Sequence, residues 1–310
     1  MRIIRCHPSR FDALVSFVAE HNPQPEHHIG YYGLTPEDIR LTLRMFNWPF
    51  DRAARLAVVG NRIVGVLAAD IDKEIGRAWL YGPLVVEEGD EKVRRTSESA
   101  SHPAWTWDAT ADALYAAVAA RLPADISEYE MFVDTANVHC RSFAARHGFA
   151  TVGEWAIYFI TPERLALLPE STAEAWHERF APQLEALHNR LFPASNYTLS
   201  YMRQEWAEKG AILLVATQGE TLHGYFFGRY EAEAGEGYVD LVGVDESRRR
   251  TGLGRQLMLA GLSRLRGEAG LRQVNLSVAA GNAPALTLYD SLGFVRERDM
   301  IAFRGTVKQD

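Results

Sequence analysis

The sequence predicts an α+β protein built as two tandem repeats of one strand-and-helix order. Three observations carry this. Short runs rich in Val, Ile and Leu alternate with longer amphipathic segments of helical period, and the order recurs in both halves. A helix-Gly-Phe signature repeats in register, since Asn137 and Phe149 reappear 145 residues on as Asn282 and Phe294 (282 − 137 and 294 − 149). A strand, a glycine-bearing turn and a helix follow one another over residues 239–254.

Residues 2–6 form a first strand, and Ser9 is a candidate cap for a helix carrying Phe11, Leu14, Val15 and Val18. Residues 21–33 are a loop, whose His21, His27 and His28 lack a second cluster of metal ligands. Thr35-Pro36-Glu37-Asp38 opens the next helix. Strands 56–59 and 63–69 make a hairpin at Gly60-Asn61, with a further strand at 78–86. Residues 87–103 are polar and charged and read as a mobile insertion. A helix at 106–122, a strand at 129–134, a helix at 138–147 stopped by Gly148, and a strand or hairpin at 149–160 end the half.

The second half predicts helices at 176–191 and 197–208 and strands at 212–216, 222–230 and 238–244. After the helix opened by 251–254 come a strand at 273–278, a helix with Pro284 in its first turn and Gly293 at its end, and a closing strand at 294–303. Pro162 and Pro169 mark the boundary, giving domains at 1–160 and 173–310 joined by a linker at 161–172.

Composition narrows the class. The chain of 310 residues is 47% hydrophobic and 24% charged, enough for one large or two ordinary domains. A net charge of −7 gives no reason to expect nucleic-acid binding, and Arg248-Arg249-Arg250 is too short a run to change that. Cys6 and Cys140 are too few for a disulfide framework or a zinc site, so no metal is expected. Arg2 and Arg5 precede no apolar run, and no stretch approaches membrane length. The expectation is a cytoplasmic protein without membrane contact.

The stretch from Val239 to Gly254 offers the most chemistry. Val239, Leu241, Val242 and Val244 read as a buried strand, and Leu253, Leu257, Met258, Leu262 and Leu265 as the apolar side of a helix. The first amides of a helix have no intrahelical partners, and the dipole makes that end positive. Gly252 and Gly254 would let a diphosphate approach the main chain, with Arg249 and Arg250 beside it. An ordinary strand-turn-helix connection would look much the same. No Gly-Lys-Ser/Thr follows, and a third glycine is missing, so the other familiar phosphate loops fit poorly.

Arg249-x-x-Gly252-x-Gly254, five residues after Val244, resembles the acetyl-CoA-binding motif of the GCN5-related N-acetyltransferases. Asn282-Ala-Pro-Ala-Leu-Thr-Leu-Tyr289-Asp-Ser-Leu-Gly293-Phe294 resembles that family's second signature. The resemblance covers essentially the whole chain, strongly in the second half and weakly in the first. It implies two tandem acetyltransferase-fold domains of three layers, each a mixed, mainly antiparallel twisted sheet flanked by helices. It also implies transfer of an acetyl group from acetyl-CoA to a primary amine, by direct attack in a ternary complex.

On these matches Val242, Gly243, Val244, Arg249, Arg250, Thr251, Gly252, Leu253, Gly254, Asn282, Ala285 and Tyr289 would bind acetyl-CoA. The Val244 amide would polarise the acetyl carbonyl, and Tyr289 would protonate the CoA thiolate. Taken alone, a tyrosine at this position is more commonly a half-buried aromatic on an amphipathic helix; the match at Asn282 and Gly293-Phe294 favours the catalytic role. Period-two alternation places Tyr238, Asp240 and Val242 on one strand face, so Asp240 could accept the amine's proton; it could equally cap a backbone group. Tyr197, Tyr201 and Glu205, at i, i+4 and i+8, could line the acceptor pocket with Tyr238, or form a partly exposed helix face.

The first half departs from the pattern. Ala144 stands at the Tyr289 position, and Glu87-Glu88-Gly89-Asp90 follows the strand where a diphosphate would be repelled. It is expected to be degenerate, packing against the second half or walling its cleft. The chain would act as a monomer whose halves pair as a pseudo-dimer. A non-catalytic acyl-CoA-binding or regulatory module is the alternative. The acceptor stays open among small-molecule and peptide amines, from amino-sugar conjugates to polyamines.

Overall fold

The computed structural model of the chain describes residues 1–87, 105–193, 195 and 197–307. The expectations for Glu88, Gly89, Asp90 and the rest of the insertion up to residue 103 lie outside them. The chain divides into two compact units, Met1–Glu154 with Arg298–Asp310, and Trp155–Glu297.

In chain order the elements begin with β1 (Arg2–Arg5), α1 (Phe11–His21), α2 (Pro36–Arg44), the single turn α3 (Phe50–Ala53), β2 (Arg55–Val59), β3 (Arg62–Asp72) and β4 (Arg77–Val85). After them come α4 (Trp107–Ala119), β5 (Glu128–Asp134), α5 (Val138–Arg146), β6 (Ala150–Ile160), the short α6 (Pro162–Leu165) and β7 (Glu174–Ala175). The chain continues through α7 (Ala181–Leu191), α8 (Leu199–Lys209), β8 (Ile212–Gln218), β9 (Thr221–Glu231), β10 (Glu236–Val244), α9 (Leu253–Leu265), β11 (Gln273–Ala279), α10 (Ala283–Ser291) and β12 (Val295–Thr306).

The repeat is visible in element lengths. The pairs β3/β9, β4/β10, α4/α9, β5/β11 and α5/α10 have 11, 9, 13, 7 and 9 residues in both members. Local chemistry repeats too. Asn137 caps α5 through the Cys140 amide, and Asn282 caps α10 through the Ala285 amide, with nearly the same backbone angles. Gly148 and Gly293 follow those helices in left-handed conformations, with φ of 74° and 85°.

Each unit is a mixed, mostly antiparallel sheet flanked by helices, and the fold is α+β. The strand order is β1-β2-β3-β4-β5-β12 in the first unit and β6-β11-β10-β9-β8-β7 in the second. Only β4–β5 and β10–β11 are parallel among these neighbours. The last strands are exchanged. β6 pairs with β11 (Val274↔Ile160 to Ala279↔Trp155), and β12 pairs with β5 (Met300↔Asp134 to Thr306↔Glu128). The sequence division at 161–172 therefore does not separate the two sheets. A fragment of residues 173–310 lacks β6 and carries β12 without β5, leaving β11 with an open edge. It should melt well below the intact chain in circular dichroism; an equal midpoint would contradict this pairing.

Several helix starts move for local reasons. Thr35 and Asp38 form the expected capping box at α2. Ser9, by contrast, sits in a 3-10 turn capped by His7, and Arg10 precedes α1 without a side-chain cap. Residues 178–180 form a 3-10 turn, so the helix expected from Trp176 begins at Ala181, where Pro182 suits the first turn. Tyr197 lies before α8, whose cap is Thr198, so it is not on one helix with Tyr201 and Glu205. No helix among the described residues is long and apolar enough to cross a membrane.

Candidate active site

Strand β10 is the centre of the site, and an irregularity shapes it. Its register with β9 runs Val239↔Gly228 and then Leu241↔Phe227, so Asp240 is inserted as a bulge. The bulge reverses which way the following side chains face. Val239 and Val242 pack on the α9 side with Leu257 and Phe226, whereas Leu241 packs on the α7–α8 side with Leu187, Met202 and Phe227. Strict alternation would put Tyr238, Asp240 and Val242 together. The structure corrects this: Asp240 bonds Tyr197 on the α7–α8 side, while Val242 lies across the sheet.

Beyond the bulge the parallel neighbours part. The register of β10 with β11 ends at Val239↔Leu276, although the strands continue to Val244 and Ala279. The Asp245 amide donates to the His223 carbonyl at 2.8 Å, toward the β9 side. By alternation the amides of Val242 and Val244 point the other way, toward the gap that β11 leaves open.

The turn after β10 presents a row of donors. Among the described residues, the amides of Arg250 through Arg255 have no hydrogen-bond partner. Arg250 has φ of 62°, the one left-handed residue other than glycine among the described residues, and Gly252 has φ of 88°. Left-handed residues in a turn are the backbone pattern from which anion-binding concavities of successive amides are made, and strain of this kind concentrates at ligand clamps. A Cβ on Gly254 would meet only Val244 Cγ2 at 3.6 Å and Leu288 Cδ2 at 3.9 Å, so packing does not demand glycine there. Arg249 makes an exposed ion pair with Glu246 at 3.3 Å, worth little and easily exchanged for a phosphate. Leu253 packs on the α9 side, and the Thr251 hydroxyl donates to the Arg248 carbonyl at 2.7 Å.

On α10, the Asn282 side chain and the Ala285 amide are taken up by capping. Tyr289 packs against Tyr158 and Phe294, with ring centroids 6.3 and 5.9 Å away. Its hydroxyl has no partner among the described residues, and burial pushes its pKa up to about 12.

On the α7–α8 side of β10 lies a polar cluster. Arg229 grips Asp240 through two bonds, Nε to Oδ2 at 2.8 Å and Nη2 to Oδ1 at 3.0 Å, and the Tyr197 hydroxyl donates to Oδ1 at 3.0 Å. Burial pulls the Arg229 guanidinium down, but its bonds to Asp240 outweigh that and raise its pKa. The Tyr201 ring lies 5.5 Å from Tyr197, and the Tyr238 hydroxyl donates to Glu236 at 2.6 Å. Glu205 is buried and bonded to Lys209 at 2.7 Å, away from a lining role. Gly243 is needed by packing, because a Cβ would lie 2.4 Å from the Tyr225 ring, whose hydroxyl meets His188 Nδ1 at 2.7 Å.

Sequence reasoning missed Arg229. The signal was there: a charge in a strand beside Phe226 and Phe227 needs a counter-charge, and Asp240 on the next strand supplies it.

A strand pair parted beyond a bulge, with free amides opening the next helix, meets a matching similarity to known proteins. Residues 174–294 match the Acetyltransferase (GNAT) family. A mycothiol acetyltransferase of Pseudarthrobacter chlorophenolicus is 30% identical over 264 residues, covering 77% of this chain and 78% of that one. The chain belongs to the GCN5-related N-acetyltransferase family. It is an acetyl-CoA-dependent acyltransferase of the tandem kind. The mycothiol acetyltransferase of Thermobispora bispora is 44% identical over 101 residues, which span 30% of this chain and 33% of that one. Two solved structures share the fold of this acetyltransferase across its length. A GCN5-related N-acetyltransferase from Sphaerobacter thermophilus has a TM-score of 0.65 at 16% identity, over 99% and 96% of the two chains. A tandem GNAT protein from the clavulanic acid biosynthesis pathway has 0.63 at 18%, over 100% and 99%.

Proposed function

We propose that the second unit acetylates the primary amine of a small molecule of the mycothiol class, the acceptor that the names of its relatives indicate. The row of free amides from Arg250 to Arg255 carries the reading, because a diphosphate is the group that would satisfy so many donors at a helix N-terminus. Acetyl-CoA, when bound, supplies the activated acetyl group and the thiolate leaving group. Arg249 and Arg250 add charge at the diphosphate. As the amine nitrogen bonds to the acetyl carbon and the carbon–sulfur bond breaks, the Val244 amide would polarise the acetyl carbonyl, the Tyr289 hydroxyl would give its proton to the departing sulfur, and the proton lost by the nitrogen would pass to solvent. Tyr197, Tyr201, Tyr238 and Asp240 face the acceptor from the α7–α8 side.

Asp240 is assigned the holding of the acceptor's amine rather than its deprotonation. Two of the three hydrogen bonds its oxygens accept come from the Arg229 guanidinium, which fixes the carboxylate in place and leaves a lone pair on Oδ2 for the amine. Asp240→Asn should therefore raise KM for the amine severalfold and leave the shape of the pH–rate profile unchanged. A flattened rise of rate with pH would instead make Asp240 the general base.

The first unit is proposed not to bind CoA. The Glu87 carboxylate accepts from the Trp107 amide at 3.4 Å, at the start of α4, and Cys140 Sγ donates to the Pro83 carbonyl at 3.2 Å. Ala144, in place of Tyr289, is fully buried. Calorimetric titration with acetyl-CoA should show one site per chain. Two sites would restore the first unit as a binder, and no binding would end the enzyme reading.

A further inference from the structure

The first unit holds a cavity of about 1110 Å³ at the end of its sheet. β1 ends at Arg5 opposite Arg55, where β2 begins. β3 pairs with β2 only as far as Leu67↔Arg55 and then runs on to Asp72. The cavity is lined from this end of the sheet, from α3 and from the chain just beyond α4, by five cationic side chains and two carboxylates. That balance stands out on a chain of net charge −7.

The cations are poorly neutralised. Arg5 pairs with Asp51, and Lys73 reaches Asp125 only at 3.7 Å. Arg55 Nη1 donates to the carbonyls of Arg52 and Ala54, each at 2.9 Å, and to no carboxylate among the described residues. The side chains of Arg52 and Arg121 have no hydrogen bond or ion pair among the described residues. Of the two carboxylates, Asp72 is committed to the amides of Glu74 and Ile75, at 2.8 and 3.4 Å. Burial, and then the charges of Arg121 and Arg5, lower the pKa of Arg55. A basic residue past the end of α4 would suit the helix dipole, and that accounts for Arg121. It does not account for Arg5, Arg52 and Arg55 arriving from three other elements. Arg52 and Arg121 are exposed at the mouth and Arg55 is half-buried, and the repulsion among like charges converging there is a cost that a bound anion would offset.

We propose that this cavity binds a small polyanion, bearing several phosphates or carboxylates, held by Arg52, Arg55 and Arg121. The proposal does not depend on acetyl transfer by the second unit. It gives the unit without the Arg-x-x-Gly-x-Gly motif a ligand of its own.

The test is calorimetric titration of the full chain with tripolyphosphate and, separately, with citrate, at low and at physiological salt. The proteins compared are the unaltered chain, Arg121→Gln, the double variant Arg52→Gln/Arg121→Gln, and Gly252→Val, alone and with both arginine changes added. Gly252→Val controls for phosphate taken by the amides before α9. Affinity should fall at least tenfold in the double variant, fall partway in Arg121→Gln, and persist in Gly252→Val. Without ligand, the thermal midpoint of the arginine variants should hold or rise, because repulsion is relieved. Binding of both anions would mean that charge alone selects; binding of tripolyphosphate alone would mean selection for phosphate. Three results would overturn the site: no binding to the unaltered chain at millimolar anion and low salt, affinity undiminished when Arg52→Gln and Arg121→Gln are added to Gly252→Val, or a lowered midpoint marking the arginines as structural.

Discussion

Gly252→Val should weaken acetyl-CoA binding by roughly 30- to 1,000-fold while the chain keeps its fold. Nothing lies within 4 Å of the place a Cβ would take, so crowding by the protein is not the cause. The cause is the backbone, whose φ of 88° suits glycine and strains a β-branched residue. Such strain costs about 1–3 kcal/mol, and each charge-assisted amide bond lost as the turn relaxes removes about 1.5–3 kcal/mol. A net loss of about 2–4 kcal/mol gives the stated range. Calorimetry reads the affinity and a thermal melt reads the fold. Gly254→Ala separates strain from ligand contact. A methyl there makes only ordinary contacts, at 3.6 and 3.9 Å, so stability should hold and any affinity loss reports a ligand lying against that backbone. Full affinity in both variants would place the diphosphate elsewhere.

Tyr289→Phe should lower turnover about 100-fold or more, the usual contribution of a positioned general acid, with CoA affinity changed little. The hydroxyl has no partner among the described residues, so its removal strands no buried group, and the ring contacts with Tyr158 and Phe294 remain. With its pKa pushed up to about 12 by burial, the phenol keeps its proton below that pH and loses it only above. The unaltered enzyme should therefore show no alkaline fall from Tyr289 in the physiological range. Single-turnover rates with a competent amine measure the effect, and an unchanged rate would remove Tyr289 from the mechanism.

What the sequence determined by itself was local. The strand-turn-helix at 239–254 and the helix start at Thr35 could be read within a few residues, because turns and helix starts depend on near neighbours, and the repeat showed as the recurrence of Asn137 and Phe149 at Asn282 and Phe294. What only the tertiary structure decided was long-range. The bulge at Asp240 moved Val242 to the other face of its sheet, and the grip of Arg229 on Asp240 changed the role proposed for that carboxylate. The exchange of β6 and β12 made each sheet depend on a strand from the other half of the sequence, and the arginines lining the first unit's cavity met from β1, α3, β2 and the chain beyond α4. An alternating strand pattern shows which side chains face a core, but it carries no mark of the strand that will pair with it. Register, bulges and the meeting of distant charges arise only when the packed chain brings those backbones together.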